Sequence, residues 1–188
     1  MGARVRAPVR AGQDGPGRAL TGLLFRVAQL LYFMAPAYVA NMAPPFAKYW
    51  RGWNAPISRR WLGGNKTVVG FLAAVAGAVL TTFVQSRIGW PGAIVDYDDW
   101  VRLGVLFGVG TMLGDMAKSF VKRRVGIAPG KSWFPFDQTD FVIGSLLFAG
   151  WSARLSVADV VIILALSIVG HILANHIGYW LGVRPAKW

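Results

Sequence analysis

Residues 67–84, TVVGFLAAVAGAVLTTFV, carry no charged side chain and decide the class of fold. A helix needs about 20 mostly apolar residues to cross the hydrocarbon of a bilayer, and this run comes close to that length. Four more stretches have a similar character: residues 20–43, 101–123, 136–153 and 160–183. The pattern predicts about five transmembrane helices.

The composition supports the same class. Of 188 residues, 55% are hydrophobic and 15% charged, and the mean hydropathy is +0.46. A soluble domain of this size is rarely so apolar. We therefore predict an all-α, polytopic integral membrane protein in which residues 19–188 form one transmembrane domain. Residues 1–18, with several Arg, Gly and Pro, are predicted to be a disordered tail.

Charge sorts the loops into two sets and predicts the orientation. Twelve basic residues lie before the second span, between the third and fourth spans, and after the fifth: Lys48, Arg51, Arg59, Arg60, Lys66, Lys118, Lys122, Arg123, Arg124, Lys131, Arg184 and Lys187. The other two loops carry three Arg among four Asp. The positive-inside rule places the basic set in the cytoplasm and the N-terminus outside, although the tail's own Arg residues oppose this.

The net charge of +12 favours anionic partners. The basic residues cluster beside the spans, where lipid head groups account for them, so no nucleic-acid partner is predicted. The chain has no Cys, which excludes disulfides and thiolate metal sites.

Residues 114–124, GDMAKSFVKRR, place polar side chains at the cytoplasmic end of the third span. Helical spacing puts Ser119 and Lys122 on the face of Asp115, with Lys118 and Arg123 beside them. This face combines a carboxylate, a hydroxyl and three cations. It is a candidate site for a phosphorylated substrate.

Asp137 and Asp140, three residues apart, enter the fourth span. Each could be a helix cap or half of an ion pair, while together with Asp115 they could hold a hard divalent cation. From the residues alone the two interpretations are equally supported. Mg²⁺ held by few carboxylates completes its shell with water and substrate phosphates, so a metal here would indicate phosphoryl or nucleotidyl transfer.

Residues 63–67, GGNKT, open the second span. Two glycines followed by Asn65, Lys66 and Thr67 at a helix N-terminus could cradle phosphate, or could be an ordinary turn and cap. In the fifth span, His171 and Asn175 are four residues apart, which favours a hydrogen bond between helices over substrate contact.

Small residues recur at four-residue spacing on two spans and predict close helix packing. They are Gly104 with Gly108, Gly110 with Gly114, and the series Gly170, Ala174, Gly178 and Gly182.

The run GDMAKSFVKRRVGIAPGKSWFPFDQTDF resembles the signature of membrane CTP-dependent cytidylyltransferases. In that signature a Gly-Asp, a Ser, a Lys-Arg and a later Asp-x-x-Asp recur in order. The matching residues here are Asp115, Ser119, Lys122, Arg123, Asp137 and Asp140. The segments YVANMAPPFAKYW, LGGNKTVVGF and HILANHIGYWLGVRPAKW are similar to the archaeal CDP-archaeol synthase branch, and the match covers most of residues 32–188.

The resemblance implies a catalytic transmembrane domain that joins CTP to the phosphate of an isoprenoid ether lipid, 2,3-bis-O-(geranylgeranyl)-sn-glycerol 1-phosphate, and releases pyrophosphate. Asp115, Asp137 and Asp140 would bind Mg²⁺. The nucleotide would be held by Asn65, Lys66, Thr67, Lys118, Ser119 and Lys131, with Lys122 and Arg123 acting on its phosphates. The cytoplasmic loops would form the polar pocket, and the lipid tails would lie between helices.

Two alternatives remain at this point. A small transporter of an anionic solute could use the same intramembrane polar residues, but it should show an inverted repeat, and five unequal spans show none. A cytidylyltransferase could instead use phosphatidate. The bacterial phosphatidate branch has a Pro-Gly-His-Gly-Gly stretch where this chain has Ala128–Ser132, APGKS, which favours the ether lipid.

Overall fold

The computed structural model describes residues 16–46, 54–128 and 131–180. Within these ranges the chain forms five α-helices, with a 3₁₀ turn between the last two: α1 Pro16–Met42, α2 Val68–Ile88, α3 Trp100–Arg124, α4 Phe136–Ala149, the turn Gly150–Ser152, and α5 Val157–Trp180. The same residues contain no strand, and an isolated antiparallel bridge joins Pro56 to Thr67. The predicted all-α class is confirmed.

The helix bounds differ from the predicted spans mainly at their ends. Helix α1 begins at Pro16, so residues 16–18 of the predicted tail are helical. Helix α5 starts at Val157, three residues early, and α4 ends at Ala149 before the 3₁₀ turn. Residues 1–15 of the tail, residues 181–183 of the fifth span, and Lys48, Arg51, Arg184 and Lys187 of the basic set lie outside the described residues.

Two of the described helices are long and apolar enough by themselves to cross a membrane. They are Gly17–Met42 and Val68–Ile88, with mean hydropathies of 1.4 and 2.0. The apolar part of α5, Val157–Leu173, is shorter. Helix α3 becomes polar towards its end, and the 14 residues of α4 extend only about 21 Å at 1.5 Å per residue. The count of five spans therefore remains a prediction.

Local capping explains where the helices begin and end. The Thr67 hydroxyl accepts a hydrogen bond from Gly70 N (3.1 Å) at the start of α2, and Gly89, with φ of 57°, closes its end. Ser156 and Asp159 form a reciprocal capping box for α5: the Asp159 carboxylate accepts from Ser156 N, and Ser156 Oγ accepts from Asp159 N. This box accounts for the early start of α5.

Glycines on α3 let it contact two helices at backbone distance. A Cβ on Gly104 or Gly108 would lie 2.5 and 2.6 Å from the Cα atoms of Val79 and Val75 on α2. On the other side of α3, a Cβ on Gly110 would lie 2.7 Å from the Gly144 carbonyl oxygen of α4. The predicted packing role is confirmed for α3, which lies between α2 and α4.

The equivalent prediction for α5 is not supported at Gly170. Among the described residues, a Cβ there would meet nothing within 4 Å. The surroundings of Ala174, Gly178 and Gly182 lie outside the described residues.

Helix α1 packs across α2 and α3 and completes the core. The Phe33 and Phe107 rings meet edge to face at 5.1 Å, and both side chains are fully buried. The end of α3, the start of α4 and the loop before α2 thus meet at one end of the bundle, where the apolar packing gives way to charged side chains.

Candidate active site

A polar cavity of about 370 Å³ lies where the loop at 54–67, the C-terminal half of α3 and the start of α4 meet. Ten of the eleven site residues predicted from the sequence line it: Asn65, Lys66, Asp115, Lys118, Ser119, Lys122, Arg123, Lys131, Asp137 and Asp140. Residues far apart in the chain are therefore brought into one place, as the sequence pattern predicts.

Lys118 is at the centre of the three carboxylates. Its Nζ lies 3.2 Å from Asp115 Oδ1, 3.0 Å from Asp137 Oδ1 and 2.7 Å from Asp140 Oδ2. One carboxylate comes from α3 and two from α4, so a single ammonium bridges the two helices. The three acids converge on one cation position.

Two more lysines complete the cluster from either side. Lys122 Nζ donates to both Asp137 oxygens at 3.0 Å and to the Lys131 carbonyl at 2.5 Å. Lys66 reaches across from the loop and pairs with Asp115 Oδ2. Three lysines therefore face three aspartates, and this group of six side chains has no net charge.

Asp137 is held by the loop before α4. Its Oδ2 accepts a hydrogen bond from Trp133 N at 2.5 Å, four residues earlier. The residue at the N-cap of α4 is Pro135, which makes no side-chain cap hydrogen bond. The alternative of Asp137 as a helix cap is therefore not what the structure has. Instead, the carboxylate ties the loop to the lysine cluster.

Apart from Asp140 Oδ2, which is ion-paired with Lys118, two buried polar atoms on the cavity wall have no hydrogen-bond partner among the described residues. They are Arg123 Nε, a donor, and Gln138 Oε1, an acceptor. Leaving such atoms unpaired is costly unless a ligand or water satisfies them. Both atoms are consistent with a cavity that binds a polar molecule.

The donor set suits a hard divalent cation, because carboxylate oxygens are the ligands that Mg²⁺ prefers. Each of the three acids brings an oxygen within 3.2 Å of one positively charged atom. In the described part of the chain, however, no three acidic or His side chains form a ready-made ligand set. The carboxylates fit the metal chemically, provided that the Lys118 ammonium moves away.

Thr67 differs from the other predicted site residues. It does not line the polar cavity, and its hydroxyl accepts the capping hydrogen bond of α2. The ordinary cap, the alternative left open for this motif, is what the structure has at Thr67. Asn65 and Lys66 of the same motif do line the cavity.

The cavity also includes residues that were not predicted to belong to it. Asn41 comes from α1, Gln138 from α4, Ser132 from the loop before it, and His171 from α5. The sequence pattern favoured a helix-to-helix hydrogen bond for His171, and its place on the cavity wall was missed. The side chain of Asn175 lies outside the described residues. Asn41 and His171 are polar residues inside apolar spans, and this feature of the sequence could have indicated that they line the site.

The loop that carries Asn65 and Lys66 is fixed at both its base and its tip. At the base, Ile57 N donates to the Lys66 carbonyl at 2.8 Å and Val68 N to the Ala55 carbonyl at 3.1 Å. Nearer the tip, the Trp61 ring stacks on Phe120 of α3 with centroids 5.7 Å apart. Arg124 lies over both rings, 4.7 and 4.8 Å from their centroids.

An apolar groove of about 430 Å³ lies directly beside the polar cavity, between α3 and α4. Leu113, Val121, Phe136, Ile143 and Leu147 are among its lining residues, and its floor includes Gly114 and Gly144. Among the described residues, Lys118 and Asp140 line both spaces. A molecule with a charged head and an apolar tail could occupy the two together.

The model of the CarS-like CDP-archaeol synthase family matches residues 23–188. The chain belongs to the CDP-archaeol synthase family. The enzyme class predicted from the sequence, a CTP-dependent cytidylyltransferase, is confirmed with it, and the transporter alternative is not supported.

Individual relatives agree along most of the chain. It is 34% identical to a CDP-archaeol synthase of Thermofilum pendens, covering 86% of this chain and 81% of the relative. It is 35% identical to that of Methanospirillum hungatei, covering 82% of this chain and all of the relative.

A solved structure gives the same result for the fold. It is described as an intramembrane enzyme for archaeal membrane lipids biosynthesis, and it matches with a TM-score of 0.69 at 26% identity, over 79% of this chain and 94% of that one. This likeness supports a membrane location for the family member described here.

Proposed function

We propose that this CDP-archaeol synthase family member transfers CMP from CTP to the phosphate of 2,3-bis-O-(geranylgeranyl)-sn-glycerol 1-phosphate, with Mg²⁺, and releases pyrophosphate. The observation that carries the proposal is the junction of the charged cavity with the apolar groove at Lys118 and Asp140. A nucleotide fits the charged side, and isoprenoid chains fit the apolar side. The two phosphates would then meet where the spaces join.

The reaction needs alignment and charge neutralisation more than a base. The lipid phosphate oxygen, already ionised at neutral pH, would attack the α-phosphorus of CTP, and the bond from that phosphorus to the bridging oxygen of pyrophosphate would break. No proton has to be removed from the nucleophile. Two anions that repel each other must instead be held in line, which is a task for cations and fixed donors.

The cavity side chains divide these tasks by position. Lys66 and Asn65 would hold the nucleotide from the loop, while Lys122, Arg123 and Lys131 would contact the triphosphate and the departing pyrophosphate. The unpaired Arg123 Nε–H is well placed to donate to a phosphate oxygen. Ser119, buried on the same wall, would supply a hydroxyl.

Asp115, Asp137 and Asp140 would hold Mg²⁺. When bound, the metal would neutralise charge on the phosphates and orient them. In the membrane, we propose five spans with the N-terminus outside, so that the cavity opens to the cytoplasm, where CTP is made. The positive-inside distribution of the loops supports this orientation.

The test is an assay of the purified protein in detergent with labelled CTP, Mg²⁺ and the ether-lipid phosphate. We expect pyrophosphate release together with a CMP-labelled lipid. Phosphatidate, added as a competing acceptor, should be used more slowly. Preference for phosphatidate would overturn the proposed lipid, and absence of labelled lipid with either acceptor would overturn the proposed function.

A further inference from the structure

Lys118 occupies a position that no other described lysine has. Its ammonium contacts all three carboxylates, and its side chain lines both the polar cavity and the apolar groove. Lys66 and Lys122 line the polar cavity only. Lys66 pairs with Asp115, and Lys122 with Asp137.

A divalent cation and the Lys118 ammonium compete for the same oxygens. Asp140 Oδ2 lies 2.7 Å from Lys118 Nζ, which is already contact distance, so a metal ligated by that oxygen displaces the ammonium. The six charged side chains also balance without a metal. The nucleotide-free site therefore has no excess negative charge with which to attract one.

Lys118 lines both spaces, so a displaced ammonium can stay close to a partner at the boundary with the apolar groove. The groove's lining by Leu113, Val121 and Ile143 suits hydrocarbon chains. The phosphate of a lipid with its chains in this groove arrives at the same boundary. Lys122 cannot do the same, since the Lys131 carbonyl and Asp137 hold it on the polar side.

We propose that Lys118 is an exchangeable cation. In the nucleotide-free protein it holds the three carboxylates together in place of a metal, and when the metal binds it turns to the phosphate of the lipid acceptor. This assigns Lys118 to the lipid phosphate and not to the nucleotide, where the family resemblance places it. The identity of the lipid rests on the proposed function, whereas the competition with metal does not.

The first experiment measures Mn²⁺ binding by electron paramagnetic resonance, with full-length protein in neutral-lipid nanodiscs and without nucleotide. We expect Lys118→Met to bind Mn²⁺ at least about tenfold more tightly than the wild type, because the competing cation is gone. Lys118→Arg keeps the charge and should stay near the wild type. Lys122→Met removes a cation from Asp137 only, so its Mn²⁺ affinity should increase less. Equal or weaker binding by Lys118→Met would overturn the proposal.

A second measurement needs no variant and therefore holds even if Lys118→Met does not fold. In wild-type nanodiscs, the ether-lipid phosphate should tighten Mn²⁺ binding relative to the same lipid without its phosphate, after subtraction of binding to protein-free nanodiscs. The lipid phosphate receives the released ammonium, so the two ligands favour each other. No change in Mn²⁺ affinity would contradict the exchange.

Neither measurement uses turnover, so the two proposals fail separately. If both shifts in Mn²⁺ affinity occur while no CMP transfer is found, the exchange of Lys118 is supported and the proposed function is contradicted. If CMP transfer occurs without the shifts in Mn²⁺ affinity, the function is supported and the exchange is contradicted. In the active enzyme, Lys118→Met should also raise the KM for the lipid more than the KM for CTP.

Discussion

Acidic and basic side chains meet at both ends of this helix bundle, and they meet in different ways. At one end, Arg26 of α1 donates to Asp159 of α5 through two parallel hydrogen bonds, 2.8 Å to Oδ1 and 2.7 Å to Oδ2. Ser156 adds two more donors to Oδ2, both at 2.9 Å. Every oxygen of this carboxylate is satisfied by the protein, with one cation for one anion.

At the other end, Asp115, Asp137 and Asp140 meet three lysines beside a cavity of about 370 Å³. Lys118 is divided among all three acids, while Lys66 pairs with Asp115 and Lys122 with Asp137. A closed pair such as Arg26 with Asp159 stabilises a helix contact. A shared cluster that opens onto a cavity can instead exchange its partners for a ligand.

The largest effect should come from removing a charge in the shared cluster. We expect Asp115→Asn and Asp140→Asn each to lower the rate of CMP transfer by at least about 10²-fold, because a neutral amide binds Mg²⁺ much more weakly than a carboxylate does. Pyrophosphate release measures the rate, and gel filtration in detergent checks the fold. A wild-type rate in either variant would show that the aspartates of this cluster, like the Arg26–Asp159 pair, only stabilise the fold.

The matched change in the closed pair should affect stability and not catalysis. Asp159→Asn leaves the Arg26 guanidinium without its ionised partner and should cost about 1–3 kcal/mol of unfolding free energy. We expect a lower melting temperature in detergent with an unchanged transfer rate per folded molecule. A lower transfer rate with an unchanged melting temperature would contradict the purely structural role assigned to the Arg26–Asp159 pair.

A substitution of Lys66, on the loop before α2, tests whether this lysine of the cluster binds the nucleotide. Lys66→Ala should raise the KM for CTP about tenfold, equivalent to about 1.4 kcal/mol, because one phosphate contact is lost. Arg59→Ala is the control, since Arg59 is exposed on the same loop and does not line the cavity. Equal CTP dependence of the two variants would remove the loop from the site.

The smallest effect is expected at Thr67. Its loss as a helix cap should cost about 1 kcal/mol of stability in Thr67→Ala and leave the KM for CTP unchanged. Thermal unfolding and a CTP titration measure the two quantities. A higher KM for CTP with an unchanged unfolding temperature would show that Thr67 contacts the nucleotide.

Helices α1 and α2 could be predicted because their apolar runs are long. The meeting of Asp115 with Asp137 and Asp140 could be predicted from the resemblance to a family whose motif has these residues in the same order. The role of Thr67 could not. A Thr directly before an apolar run satisfies both the rule for a cap and the rule for a phosphate cradle. Only the observed hydrogen bond to Gly70 N separates them.

The central position of Lys118 among the three carboxylates could not be predicted from the sequence either. Its three-residue spacing from Asp115 predicts one ion pair on the same helix. Its contacts with Asp137 and Asp140 depend on how closely α3 approaches α4, which is a tertiary distance. Asn41 and His171 were missed for the same reason, since each reaches the cavity from another helix.

The glycines between α3 and α4 have a consequence for motion. Gly110 and Gly114 lie against the backbone of Gly144 and Asp140 with no room for a methyl group, so the two helices cannot slide past each other without a clash. The pair that carries all three acids therefore behaves as a rigid body.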